Sequence, residues 1–177
     1  MDLRVIKTRN AIKNAFLELR AKKSTEKISI KELTELANIN KATFYLHYHD
    51  IYDLAETLER EAVCDCLKNI KNPEFILSDT KKFMKQLAGS MYSNEQLMKI
   101  LFEGNRSSSF TKIFEEELYK IIYSTDPDFK QTVESRMRMT FLIHGSYHTY
   151  FTYQEYGIER VMQVIESLLS DEIKNMR

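Results

Sequence analysis

Two helical segments separated by only four residues constrain this fold more than any other feature of the sequence. Ser29 followed by Glu32 is typical of a capping box that begins a helix, and the segment 37–40, ANIN, interrupts the helical pattern. A tight corner of this kind needs one residue in the left-handed backbone region. Asn tolerates that region best after Gly, and Asn38 stands at the required place. A further short helix is then predicted over residues 41–48.

An amphipathic helix predicted over residues 5–22 precedes this corner, so the first 50 residues are expected to form three helices. In a helix-turn-helix arrangement, the helix after the turn enters the major groove of DNA. Its polar side chains, which would reach phosphates or base edges, are Lys41, Thr43, Tyr45 and His47. Phe44 and Tyr48 would anchor this helix to the first two.

The rest of the chain also shows helical rather than strand periodicity. The sequence therefore predicts an all-α fold of roughly nine helices, with a helix-turn-helix head at residues 1–50 and a helical body at 51–177. In the body, one helix is predicted from about Pro73, and another after a polar loop at 103–110. Asp126 followed by a proline predicts the start of a long helix that ends before Gly157.

The charge distribution is uneven although the net charge is zero. Residues 1–50 contain 10 Lys and Arg against 6 Asp and Glu, whereas the remaining residues contain 16 against 20. A basic end on an acidic body indicates a surface that faces a polyanion.

The cysteines and the hydropathy pattern bear on the expected location. Cys64 and Cys66 lie on different sides of a predicted helix, so they cannot form a disulfide with each other without distortion. A reduced, cytoplasmic protein is expected on this basis. The first thirty residues are charged throughout, and no apolar run reaches the roughly 18 residues of a membrane span. Neither a signal peptide nor a membrane partner is expected.

The stretch SIKELTELANINKATFYLHYHDIYDL, residues 29–54, resembles the DNA-binding signature of the TetR/AcrR transcriptional regulators. The resemblance covers about residues 8–56. It implies a homodimeric repressor that binds a near-palindromic double-stranded DNA operator and is released by a small-molecule effector. Residue by residue, it implies that the side chains facing DNA are Ser29, Asn40, Lys41, Thr43, Tyr45 and His47.

Two positions depart from the family pattern. Asn38 replaces the usual turn glycine, which the left-handed backbone tolerates. Ile51 replaces the lysine that usually opens the fourth helix and contacts a phosphate, and this puts that contact in doubt. Lys31 or Lys41 would have to supply the charge instead.

For the body, the resemblance implies that the last two helices pair with those of a second copy and that middle helices enclose an effector pocket. The predicted dimer contacts are Phe141, Gly145, Val161, Ile165 and Leu168. The predicted pocket residues are Phe102, Phe114, Tyr119, His144 and His148.

Other functions remain as alternatives. His144 and His148 have the spacing of metal ligands on a helix, but no matching carboxylate or cysteine lies nearby in sequence, so neither a metal nor a cofactor is predicted. No Gly-rich phosphate loop, H-E-x-x-H motif or nucleophile elbow indicates an enzyme. A helical protein-interaction adaptor, or an activator or co-regulator of the same family, are the competing hypotheses.

Overall fold

A computed structural model describes residues 3–102, 107–129 and 132–174, and within these ranges every regular element is helical. The predicted all-α class is confirmed. The α-helices of the described part are α1 (Leu3–Arg20), α2 (Ile30–Leu36), α3 (Lys41–Tyr45), α4 (Ile51–Lys68), α5 (Phe75–Ser78), α6 (Thr80–Ser93), α7 (Glu95–Phe102), α8 (Ser107–Thr125), α9 (Val133–Tyr153) and α10 (Ile158–Lys174). Short 3₁₀ helices cover Thr25–Lys27 and Gln154–Tyr156.

The chain packs as two compact units. The first falls within Met1–Ala62 and Glu95–Ser109, and the second within Val63–Asn94 and Phe110–Arg177. This division describes packing alone, so the predicted functional boundary after residue 50 stays a prediction.

In the first unit, α1 and α2 bury one face each. Ile12, Phe16 and Leu19 recur at helical spacing along α1, and all three are buried. In α2 the buried residues include Leu33 and Thr34. Leu36, which follows Leu33 at a spacing of three residues, is 44% exposed. The difference arises because the short helix turns its Leu33–Thr34 side inward, which leaves Leu36 at the margin.

The start of α2 is capped by a side chain, and the corner after α2 contains a left-handed residue, as the sequence predicts. The amide of Glu32 donates to the Ser29 hydroxyl at 3.2 Å. The Glu32 carboxylate accepts from Lys23, so in this chain it ties α2 to the segment after α1. Asn38 has a φ of 53°, the left-handed conformation expected for the turn.

One difference from the sequence prediction concerns α3. The helix predicted over residues 41–48 ends at Tyr45, and the amides of His47 and Tyr48 both donate to the carbonyl of Phe44 in a final turn. Asp50 then caps α4 by accepting from the amides of Tyr52 and Asp53, at 2.7 and 2.9 Å.

The second unit has one more helix boundary than expected. The helix predicted from Pro73 is divided into α5 and α6 by Asp79, whose φ of −150° and ψ of 75° end the first helix. The Asp79 side chain accepts from the amide of Lys82 and caps the second. This break explains why the described part contains ten α-helices rather than roughly nine.

The starts of α8 and α9 also differ from the prediction. Residues 107–110 belong to α8 rather than to a loop, and residues 103–106 lie outside the described part. Helix α9 begins at Val133 and not at Asp126, because Thr132 accepts from the amide of Ser135 and provides the cap. Before it, buried Phe129 contacts the ring of Tyr123 on α8, with ring centres 6.4 Å apart.

Helices α9 and α10 run antiparallel within the second unit. Arg138, near the start of α9, donates to Glu172, near the end of α10, at 2.6 Å. Gly157, with a φ of 104°, provides the reversal between them. The buried face of α10 repeats every four residues through Val161, Ile165 and Leu169.

Candidate nucleic-acid interface

Two buried aromatic residues hold α3 in place. Phe44 is fully buried and Tyr48 is 5% exposed, and their ring centres are 5.8 Å apart. Both were predicted as anchors, and the structure places both in the core. A helix of five residues has little stability of its own, so its position depends on this packing.

The opposite side of α3 is open to solvent. Tyr45 is 55% exposed, and its ring meets the ring of Phe44 edge-on at 5.5 Å. Lys41 is also exposed, and His47 is half-buried beside Tyr48. The structure therefore leaves Lys41, Tyr45 and His47 accessible to solvent on the same short segment.

Asn40 and Thr43 are joined at the start of α3. The side-chain oxygen of Asn40 accepts from the Thr43 amide at 2.7 Å and from the Thr43 hydroxyl at 2.9 Å. Asn40 is thus the N-cap of α3, a role that the sequence prediction did not assign to it. The amide nitrogen of Asn40 takes part in neither bond, and the Thr43 oxygen retains its capacity to accept.

Ser29 and Lys31 lie at the start of α2. Ser29 is exposed, and its hydroxyl caps the helix. The Lys31 side chain is 73% exposed and lies 3.9 Å from the Glu35 carboxylate, one turn further along. Exposed pairs of this kind contribute little stability, so Lys31 can exchange Glu35 for another anion.

Ile51 is buried within the first unit, with 8% of its surface exposed. This position therefore serves the core and presents no charge. The neighbouring Tyr52 is 48% exposed in the first turn of α4 and was not among the predicted contacts. The sequence could have indicated Tyr52 as a contact, because it is an aromatic residue with a polar hydroxyl that lies between the apolar residues Ile51 and Leu54.

Several basic residues of the head are engaged in ion pairs within the first unit. Arg9 and Lys13 on α1 both approach Glu61 on α4, at 3.4 and 3.3 Å. Lys22 pairs with Glu18 at 2.9 Å. These pairs lower the positive charge that the head presents to solvent. The attraction of the head for a polyanion is therefore weaker than the count of its basic residues suggests.

Helices α9 and α10 carry a large exposed apolar surface. Phe141 is 76% exposed, Leu168 is 62% exposed, and Gly145 is exposed. Val161 and Ile165, also predicted as dimer contacts, are 6% and 3% exposed because they face the interior of their own chain. For these two residues the interface prediction is corrected. Other exposed apolar residues of these two helices, which the sequence analysis missed, are Val133, Met137 and Val164.

The five predicted pocket residues do not form one cluster within either unit. Phe102 is buried in the first unit, and Phe114 is buried in the second. His144 and His148 are exposed on α9. Tyr119, on α8, differs from the other four in one respect. Its hydroxyl is buried and has no hydrogen-bond partner among the described residues.

The surroundings of Tyr119 are aromatic and charged. Its ring stacks on Tyr123 with centres 5.8 Å apart. Burial, together with the charge of Glu115, raises the pKa of Tyr119 to about 12. Glu115 accepts a hydrogen bond from Thr140, which joins α8 to α9 at this point.

Cys64 and Cys66 are free thiols. Burial raises the pKa of both, and at Cys64 the nearby Glu117 carboxylate adds to the effect. A thiol with a raised pKa is mostly protonated at neutral pH and therefore a poor nucleophile. The arrangement gives these cysteines packing roles rather than reactive ones.

Two searches of the described residues gave no site. Residues 3–102, 107–129 and 132–174 contain no group of three or more His, Cys, Asp or Glu side chains arranged to hold a metal ion. In the same ranges, no helix combines the length and the apolar character that crossing a bilayer requires.

Comparison with known proteins gives one informative similarity. No family model matches the chain. Over 96 residues, the chain is 31% identical to a Bacillus subtilis (strain 168) protein named as the uncharacterized HTH-type transcriptional regulator YxbF. The match covers 51% of this chain and 25% of that protein, so the chain spans about a quarter of the length of its relative. The named relative is a helix-turn-helix protein, and the chain described here contains two helices joined by a tight corner.

Proposed function

We propose that this chain is a sequence-specific DNA-binding transcription regulator of the TetR/AcrR type. The observation that carries the proposal is the construction of α3. Two buried aromatic residues fix one side of this short helix, and a left-handed Asn38 sets its angle to α2. The opposite side presents donors and a cation to solvent. The similarity to an HTH-type transcriptional regulator supports the same conclusion.

The proposed contacts follow from helix-turn-helix docking. Helix α3 lies in the major groove, where Lys41 and Tyr45 reach phosphates or base edges. Ser29 and Lys31, at the exposed start of α2, lie on the side that crosses the phosphate backbone. Because Ile51 is buried, phosphate contact at the start of α4 falls to Tyr52, whose hydroxyl is a suitable donor.

The active form in this proposal is a homodimer. Met137 and Phe141 on α9, with Val164 and Leu168 on α10, expose apolar side chains at spacings of four residues. Two adjacent helices with such a surface are stabilised by packing against another apolar surface, and a second copy supplies an identical one. A dimer would place two α3 helices about 34 Å apart on a near-palindromic operator.

Repression released by a small effector is the finer part of the proposal. The buried hydroxyl of Tyr119 supports a ligand site near α8, because a ligand acceptor would satisfy a donor that the described chain leaves unsatisfied. A ligand that prefers a form unable to bind DNA would shift the population towards that form. Such a regulator acts where the DNA is, so a cytoplasmic location belongs to the proposal.

The first experiment is binding of the purified protein to a randomised duplex library, at two salt concentrations, followed by sequencing of the retained DNA. Enrichment of a near-palindrome, with weaker retention at higher salt, would support the proposal. A variant with Lys41→Ala and Tyr45→Ala should lose this retention and keep its oligomeric state. Retention without any enriched sequence would contradict sequence-specific regulation.

A protein-interaction adaptor is the second candidate, and the exposed apolar surface of α9 and α10 favours it. This surface suits binding to a partner as well as self-association. An adaptor would retain no DNA, and its Lys41 and Tyr45 variants would behave like the wild type. An activator or co-regulator would bind the operator in the same way and would differ only in its effect on transcription.

A further inference from the structure

The outer face of α3 contains an apolar strip that the contacts proposed above do not use. Leu46 is 82% exposed, the most exposed large apolar side chain of the described residues. Its amide donates to the carbonyl of Ala42 at 3.2 Å, so the two residues lie one helical turn apart. Ala42 is also exposed. Ala42 and Leu46 therefore form one row along the helix.

Polar or aromatic rows lie on both sides of this strip. Residues one position before and one position after are rotated by about 100° around the helix. These rows are Lys41 with Tyr45, and Thr43 with His47. The row on the far side, Phe44 and Tyr48, is buried. The strip thus lies at the centre of the face that points away from the core.

A strip of this kind provides no hydrogen-bond donor or acceptor from its side chains. Contact with this strip therefore gives phosphates and most base-edge atoms no hydrogen bond. The apolar group that a base edge offers in the major groove is the C5-methyl group of thymine, and alanine and other apolar side chains contact it in protein–DNA complexes. Burying a methyl group and an exposed leucine together removes apolar surface of both from water.

The setting favours this occupant over a second protein. A protein interface requires a broad apolar area, whereas this strip is one side chain wide and is bordered by Lys41 and Tyr45 on one flank and by Thr43 and His47 on the other. Residues 1–50 also contain more basic than acidic residues, and Lys41 beside the strip is exposed, so a polyanion is attracted here even though Arg9 and Lys13 are paired with Glu61.

We infer that Leu46, with Ala42, reads a thymine methyl group and thereby specifies an A·T pair within each half-site. The inference rests on the proposed DNA-binding function and adds to it a residue that determines specificity. Leu46 acts by apolar contact, whereas Lys41 acts by charge.

The test uses replacement of thymine by deoxyuridine, which removes the methyl group and leaves every hydrogen-bonding group unchanged. The full-length wild-type protein and the Leu46→Ala variant are each used to select from a randomised duplex library. At each thymine that the wild type specifies, a duplex with deoxyuridine is then compared with the parent. At one position the wild type should lose about threefold to fivefold in affinity, the value for burying one methyl group.

Leu46→Ala should show no loss from the same replacement, and its selected sequences should no longer specify thymine there. Leu46→Met, which retains an apolar side chain of similar volume, should keep the methyl sensitivity. The matched control is Leu36→Ala, because Leu36 is an exposed leucine at the end of α2 and the same atoms are removed. This control should leave the loss unchanged, and melting curves should show all variants folded.

The outcomes separate the inference from the proposed function. Specific binding in which Leu46→Ala keeps both the thymine preference and the methyl sensitivity overturns the inference and leaves the regulator intact. Failure of the wild type to select any sequence overturns both.

Discussion

Two regions of this protein expose large apolar side chains, and they do so in opposite surroundings. At the end of α3, the exposed Leu46 is a single large apolar side chain among polar neighbours. The fully buried Phe44 lies on the opposite side of the helix. On α9 and α10, the exposed residues succeed one another over several turns and include Phe141 and Leu168. The first region is narrow and lies in a basic part of the sequence, and the second is broad and lies in an acidic part.

The difference shows that exposure alone does not identify a partner. A narrow strip bordered by a cation and hydroxyl groups matches a nucleic-acid groove, whose surface is mostly polar. A broad apolar surface matches another protein, because it has few groups with which to satisfy phosphates. Four predictions follow, beginning with the largest effect, and the first two test this distinction.

Adjacent aromatic residues of α3 should separate stability from binding. Phe44→Ala should lower the free energy of unfolding by about 3–5 kcal/mol, because it removes a fully buried ring. Tyr45→Ala should change it by about 0.5 kcal/mol or less, since the ring is more than half exposed. Urea denaturation measures both values.

DNA binding should separate Tyr45 from the wild type although stability does not. Under conditions where both are folded, Tyr45→Ala should bind the selected operator more weakly than the wild type does, because an exposed contact is removed while the packing of α3 is kept. Equal affinities of Tyr45→Ala and the wild type would show that this exposed ring has no direct role.

The broad surface should respond to a charge. Phe141→Glu should raise the dissociation constant of the dimer by about 30-fold or more, the effect typical of a central interface residue. Sedimentation equilibrium measures this change. Tyr92→Glu on α6 is a matched control, because Tyr92 and Phe141 are both 76% exposed. If both variants dissociate equally, or neither does, the assignment of this surface to a second copy is wrong.

The corner before α3 should tolerate only certain residues. Asn38→Val should destabilise the protein by about 1–2 kcal/mol, because a β-branched side chain clashes in the left-handed region. Asn38→Gly should be neutral or slightly stabilising. Thermal melts of the three proteins give the order. Equal stability of the Val and Gly variants would mean that the corner adapts without the left-handed conformation.

The smallest effect is expected at Tyr119 on α8. Tyr119→Phe should stabilise the protein by about 1 kcal/mol at neutral pH, because it removes a buried hydroxyl that has no partner among the described residues. A loss of stability would show that the Tyr119 hydroxyl makes a stabilising hydrogen bond in the folded protein, which would contradict the prediction. Urea denaturation at pH 7 is the measurement.

The same variant should alter the response to alkali. Tyr119 has a pKa of about 12, against an ordinary value of 10.0. Below the ordinary value the phenol is protonated in both the folded and the unfolded chain. Between the two values the unfolded chain releases its proton first, so wild-type stability should fall as pH rises. Tyr119→Phe should show a shallower fall over this range, although Tyr123 and Tyr147, with pKa values also raised by burial, keep some of it.

The sequence predicts the head well where the physical cause is local. The cap at Ser29 and the left-handed Asn38 depend on the residue itself and its neighbours along the chain, and the structure has both. The anchors Phe44 and Tyr48 follow from helical spacing. The early end of α3 was missed, because fraying of a short helix depends on packing that the sequence does not show.

The body is predicted less completely because its helices have more than one apolar side. Val161 and Val164 are both apolar, and periodicity does not decide which of them faces the chain's own core. Helix α9 starts at Val133, after the Thr132 cap, and not at Asp126, although Asp followed by Pro is a good helix start by composition alone. Between the two positions, buried Phe129 packs against Tyr123 on α8, a contact that the sequence does not show. The side chains that contact DNA, an effector or a second copy remain predictions.

The left-handed corner also restricts how this sequence can change over generations. Under the genetic code, asparagine cannot become glycine by a single nucleotide change. A route through aspartate passes a residue that also tolerates the left-handed backbone, whereas direct replacements by isoleucine or threonine are β-branched. Descendants of this chain are therefore expected to keep asparagine at position 38, or to reach glycine by way of aspartate.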